Sequence, residues 1–189
     1  GIACMSLFNI GANMENEIML DNLSAEQFDF ILKYGRPSNK VLDYEAADFV
    51  SLPYGLIKRE LPTLLKQAKF YKCVEFVLKH TYKDLDLSKA SGNELMAFLL
   101  WIRQQLDKLS ILELNYLAQD PDPKMVAAGI HKLNEMGELP TIDNLAGGDI
   151  LKYEAIEALP YFRVYEKLKL NRIWSDINKN YEEIIKNTK

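Results

Sequence analysis

The sequence has little of the chemistry on which many enzymes and metal proteins depend. Among 189 residues there are two histidines, His80 and His131, and two cysteines, Cys4 and Cys73. Two thiols are too few for a disulfide framework or a thiolate zinc site. A catalytic triad needs a base that titrates near neutrality, and neither histidine stands in a recognisable motif. The nine glycines and seven prolines are scattered, so they form no flexible linker, low-complexity tract or fixed repeat. No apolar run approaches the roughly 20 residues that span a bilayer. The first residues lack the charged and apolar regions of a signal peptide, and Met5 reads as an initiator behind four further residues, so a cytoplasmic protein is expected. Positive charge is also short, with 23 Lys and Arg against 27 Asp and Glu and a net charge of −4. That leaves no basic footprint for a phosphate backbone or an anionic lipid surface, and neither nucleic acid nor membrane is expected as the primary partner.

What is present is an ordinary globular composition, 48% hydrophobic and 26% charged. A chain of this length buries roughly 70% of the surface that its unfolded state exposes. The patterning is helical throughout. Ser24 and Gln27 have the spacing of a capping box ahead of Phe28, Ile31 and Leu32, with Gly35 and Pro37 as a stop. Residues 41–54 mix signals and read as loop with some helix. Pro62 disturbs the next helical pattern, and Phe70, Val74, Val77 and Leu78 mark one face of another. Ser91 and Glu94 repeat the capping box before Leu95, Phe98, Leu99, Ile102, Leu106 and Leu109, the clearest helix in the chain. Ser110 and Glu113 have the same spacing and predict a fresh helix after a sharp corner. Asp122 before Pro123 predicts a capped helix carrying Val126, Ile130 and Leu133 as far as Gly137. Residues 141–148 read as a turn or helical bend, with Asp149 as cap for a helix that stops near Pro160. No segment alternates strictly, so β structure is at most a minor N-terminal element. The expected fold is therefore all-α, an irregular multi-helix bundle, with residues 1–22 as an arm and 23–189 as one helical domain.

Each candidate chemical group has a structural explanation at this level. His80 suits a helix C-terminus, and His131 reads as half-exposed. Cys73 reads as a small buried hydrophobe rather than a nucleophile. The pairs Asp84 and Asp86, Asp120 and Asp122, and Asp143 and Asp149 lack the loop of six or more oxygens that a hard cation requires. The turn Ala146-Gly147-Gly148-Asp149 has neither the P-loop lysine nor the glycine spacing of dinucleotide folds. No catalytic residue, metal ligand or cofactor is expected.

Residues 128–168, AGIHKLNEMGELPTIDNLAGGDILKYEAIEALPYFRVYEKL, cover about a fifth of the chain. With the Ala146-Gly147-Gly148-Asp149 turn and the Leu159-Pro160-Tyr161 corner, this stretch resembles small helical structural and assembly proteins of tailed bacteriophages, of the tail-assembly chaperone or head-to-tail connector type. The resemblance implies a non-enzymatic protein that contacts copies of itself or other virion proteins, in the host cytoplasm or the virion. The alternative is a regulatory adaptor or inhibitor module that binds a host protein.

Two features point to protein contact. Tyrosine is prominent, with 10 residues, and tyrosine and tryptophan suit interfaces by joining a large contact area to a polar tip. Leu170, Ile173, Trp174, Ile177, Tyr181, Ile184 and Ile185 form a full amphipathic stripe at the end of the chain. A terminal helix of this kind either closes its own bundle or docks on another molecule. The arm, with Leu7, Phe8, Ile10, Ile18, Met19 and Leu20 in no locally burying pattern, tips the expectation toward association. The expected interface residues are Leu7, Phe8, Ile10, Trp174 and Tyr181.

Overall fold

The computed structural model describes residues 20–188, and in it Leu20 is fully buried. Next to it, Asp21 accepts a hydrogen bond from the Tyr71 amide at 2.9 Å. Leu20 therefore belongs with the domain and not with an arm.

Among the described residues the fold is mostly helical, with one two-stranded hairpin. Helix α1, Ala25–Tyr34, starts at the expected capping box, in which Ser24 Oγ accepts from the Gln27 amide and the Gln27 side chain accepts from the Ser24 amide. The minor β element lies in the stretch that reads as loop. Strands β1, Lys40–Val41, and β2, Tyr44–Glu45, pair antiparallel with Lys40 opposite Glu45. Leu42, in the turn, has φ +53°, a left-handed conformation costly for a branched side chain. Its amide donates to Glu94 Oε1 at 3.0 Å, which pins the turn to the next layer.

A π-turn at Leu56–Glu60 leads into α2, Leu61–Lys66. Pro62 is the second residue of α2, directly after this wider turn in a continuous helical run. The widened turn relieves the clash that a proline ring makes with the carbonyl four residues earlier. Helix α3, Phe70–Thr81, buries Phe70, Cys73, Val74, Val77 and Leu78, and Phe70 stacks on Phe28 of α1 with ring centres 4.8 Å apart.

Helix α4, Gly92–Tyr116, is the central strut, capped by Ser91 and Glu94 as expected and burying Leu95, Phe98, Leu99, Ile102 and Leu109. The corner expected at Ser110 is absent, because α4 runs straight through it. Ser110 Oγ donates back to the Leu106 carbonyl at 3.0 Å, the ordinary behaviour of a serine inside a helix. Asp122 does cap α5, Pro123–Ala127, accepting from the Lys124 amide at 2.7 Å. The helix ends early because Gly129 turns left-handed at φ +90°, and residues Ile130–Met136 continue as a 3-10 helix. The stretch expected as a bend is helix α6, Leu139–Ala146, closed by left-handed Gly147. Asp149 accepts from the Leu151 amide at 3.1 Å, and α7, Tyr153–Ala158, follows. Helix α8, Tyr161–Asn187, ends the described structure.

Candidate functional site

The base of α8 is tied to the body by backbone. Pro53 and Pro160 form an antiparallel bridge, the Tyr54 amide donates to the Leu159 carbonyl at 2.8 Å, and the Tyr161 amide donates to the Leu52 carbonyl at 2.9 Å. The Tyr161 bond supplies the first amide of α8 with a partner, since no side chain caps the helix. Tyr161 and Val164 are buried, and Tyr165 and Leu168 pack against the core.

Beneath this junction lies a polar cluster drawn from four parts of the chain. Tyr161 donates its phenol proton to Glu113 Oε1 at 2.7 Å. Lys58, on the π-turn, donates to Glu113 Oε2 at 2.6 Å and lies 3.8 Å from Glu138 Oε2. Tyr54 donates to the other oxygen of Glu138. Lys58, Ser110, Glu113 and Glu138 line two clefts, each of about 790 Å3, so the cluster forms part of the wall between them. Burial, and then the bonds to the carboxylates, push the Tyr54 and Tyr161 phenols far above their ordinary ionisation range. Acid and base catalysis at neutral pH is best served by groups tuned toward neutrality, and these tyrosines are moved the other way. Among the described residues every buried side-chain nitrogen and oxygen has a partner. The arrangement suits a strut that locks α8 to α4.

Past Leu168 the helix leaves the body. Asn171, Arg172 and Ser175 are half-buried on the side facing the end of α4, where Gln119 Nε2 donates to Ser175 Oγ at 3.3 Å and the Lys169 ammonium lies 5.0 Å from the Tyr116 ring centre. With successive residues about 100° apart, the stripe Leu170, Ile173, Trp174, Ile177, Tyr181 and Ile184 points roughly opposite to that side. The helix therefore turns a polar face to its own domain and an apolar face to solvent. Trp174 is 57% exposed, Tyr181 63% and Ile184 64%. A second set of exposed apolar residues, Met125, Leu133, Met136, Ile150 and Leu151, lies between α4 and α7.

The expected interface residues Trp174 and Tyr181 thus lie together on the open stripe, whereas Leu7, Phe8 and Ile10 fall outside the described residues. Four of these carboxylates do local work: Asp86 accepts from the Ser88 amide, Asp143 from the Tyr153 phenol, and Asp122 and Asp149 are the caps described above. His80 and His131 are exposed. Cys73 is fully buried, and desolvation pushes its thiol up to about 12. Among the described residues no group of three or more His, Cys, Asp or Glu side chains is placed to hold a metal ion, and no helix is long and apolar enough to cross a membrane.

The polar cluster escaped sequence reasoning. Glu113 has capping-box spacing with Ser110, while its partners lie 48 and 55 positions away, beyond the reach of any local pattern.

Protein-family models, curated proteins and solved structures contain no match to this chain.

Proposed function

We propose that this chain is a non-enzymatic structural or assembly protein that works through protein-protein contacts, in the setting of a bacteriophage particle or its assembly. One observation carries the reading: the terminal helix is rooted in the domain by a half-buried polar cluster and then presents its apolar stripe away from that domain. A helix that merely closed its own bundle would turn Trp174, Ile177 and Tyr181 inward, because burial of each such side chain is worth about 1.5–3 kcal/mol. Here Asn171 and Ser175 face inward instead. A contiguous exposed apolar surface rimmed by charge is the usual mark of an interaction site. The phage setting is supported by the resemblance of residues 128–168.

The test is the mass of the full chain in solution, alone and mixed with purified bacteriophage head, connector and tail proteins. The wild type should associate, and Trp174→Ala combined with Ile177→Ala should not. A chain that stays monomeric at high concentration and binds none of these proteins would overturn the reading.

A further inference from the structure

One of the two clefts is walled mainly by apolar side chains. It lies between the start of α1, α2 and α4, encloses about 790 Å3, and has Leu23, Phe28, Leu65, Phe70, Leu106 and Leu109 among its walls. The stacked rings of Phe28 and Phe70 form one side. Leu23, Phe28, Leu65 and Leu106 are only half-buried, so the described residues leave part of this wall to water. The charges at its mouth are matched with one exception. Lys58 has Glu113 and Glu138, and Arg103 has Asp107. Lys66 is exposed at the rim, and no ion pair joins it to a carboxylate among the described residues.

Residues 1–19 join the domain at the edge of this cleft. Leu20 is buried, and Asp21 accepts from the amide of Tyr71, the neighbour of the wall residue Phe70. Leu23, three steps along the chain from Leu20, is itself part of the wall. Three steps span at most about 11 Å. A tether this short gives the attached segment an effective concentration on the order of millimolar at the cleft, so a contact too weak for a separate peptide can hold. The chemistry of the segment matches as well. Leu7, Phe8, Ile10, Ile18 and Met19 supply apolar side chains, and the only charged side chains are those of Glu15 and Glu17, of the sign that Lys66 calls for. Contact would remove apolar surface from water on both sides.

We propose that residues 1–19 dock on their own domain, with Leu7, Phe8 and Ile10 in the cleft between α1, α2 and α4 and the two glutamates toward Lys66. These three apolar residues are then covered within the chain, and the stripe of α8 is left to make the contacts proposed above. The docking does not depend on that contact role.

Thiol accessibility in the full chain tests it. In a chain carrying Cys4→Ser and Leu106→Cys the new thiol lies in the cleft wall, while Cys73 is fully buried. The new thiol should react slowly with dithionitrobenzoate, and about tenfold faster once Leu7, Phe8 and Ile10 are all replaced by Ser, because the cover then opens more often. Equal rates in the two chains would overturn the proposal, whether both are fast, with an open cleft, or both slow, with another cover. A slow rate that rises on dilution would overturn it too, since the cleft would then hold the segment of a second copy. Unchanged circular dichroism separates undocking from unfolding. Hydrogen exchange of the unmodified chain needs no variant: the amides of residues 7–10 should exchange more slowly than those of a free chain, and exchange at the free rate would overturn the proposal. Both measurements are separate from the mass measurement that tests the contact role.

Discussion

Tyr161 and Glu113 are joined by a hydrogen bond of 2.7 Å from phenol to carboxylate, and that bond links the first turn of the terminal helix to the last turns of the central one. Glu113 also holds Lys58, so one carboxylate gathers three elements. Removing the phenol in Tyr161→Phe deletes a bond to a charged group while leaving the ring packed. The expected loss is about 1.5–3 kcal/mol, read as a lower midpoint in urea with unchanged slope. An unchanged midpoint would mean that the cluster does not anchor α8.

The centre of α4 should be the least tolerant part of the molecule. Phe98 and Ile102 are both fully buried, and truncation to alanine removes transfer energy and leaves a cavity. Each should cost about 2–5 kcal/mol by thermal or denaturant unfolding, whereas Leu114→Ala, at a site 70% exposed on the same helix, should change stability little.

Gly35 ends α1 with ordinary extended angles, φ −71° and ψ 155°, so its need for glycine is steric. A methyl group there would meet the Ile31 carbonyl oxygen at 2.6 Å and collide with the end of the Leu100 side chain. Gly35→Ala should therefore destabilise by about 1–3 kcal/mol through overpacking. A variant as stable as the wild type would show that α1 can shift off α4 freely.

Glu94 gives the acid limb of stability a specific contributor. Its carboxylate accepts from the Ser91 and Leu42 amides, and the bond from the Ser91 backbone chiefly holds it below the ordinary glutamate value of 4.5. A carboxyl lowered in the folded state contributes stability that is full above the unfolded value and is lost as pH falls through the folded one. The stability gap between wild type and Glu94→Gln should accordingly be constant above about pH 5 and narrow below about pH 4. A gap that is the same at pH 3 and pH 7 would show that the charge contributes nothing.

Much of the architecture was legible because helix ends are written locally. The boxes at Ser24 and Ser91 and the caps at Asp122 and Asp149 involve partners two or three residues away, and all four stand in the structure. The same shorthand misled at Ser110, where the spacing of a box occurs without a break in the helix. A serine that can bond back to the preceding turn needs no cap, and nothing nearby in sequence distinguishes the two cases. The hairpin at residues 40–45 was equally hidden, since its turn depends on Glu94, a residue 52 positions from Leu42.

By itself the sequence determined the helical class, the core face of α4 and the apolar stripe of α8, all of which follow from periodicity and short-range hydrogen bonding within one element. Only the tertiary structure decided which way that stripe points. Its direction depends on where Tyr161, Val164 and Leu168 anchor the helix, and that anchor is assembled from Leu52, Lys58, Glu113 and Leu159, residues that the chain brings together only when it folds. Amphipathicity specifies that a face must be covered, while the angle at which a helix is rooted specifies whether its own domain can cover it.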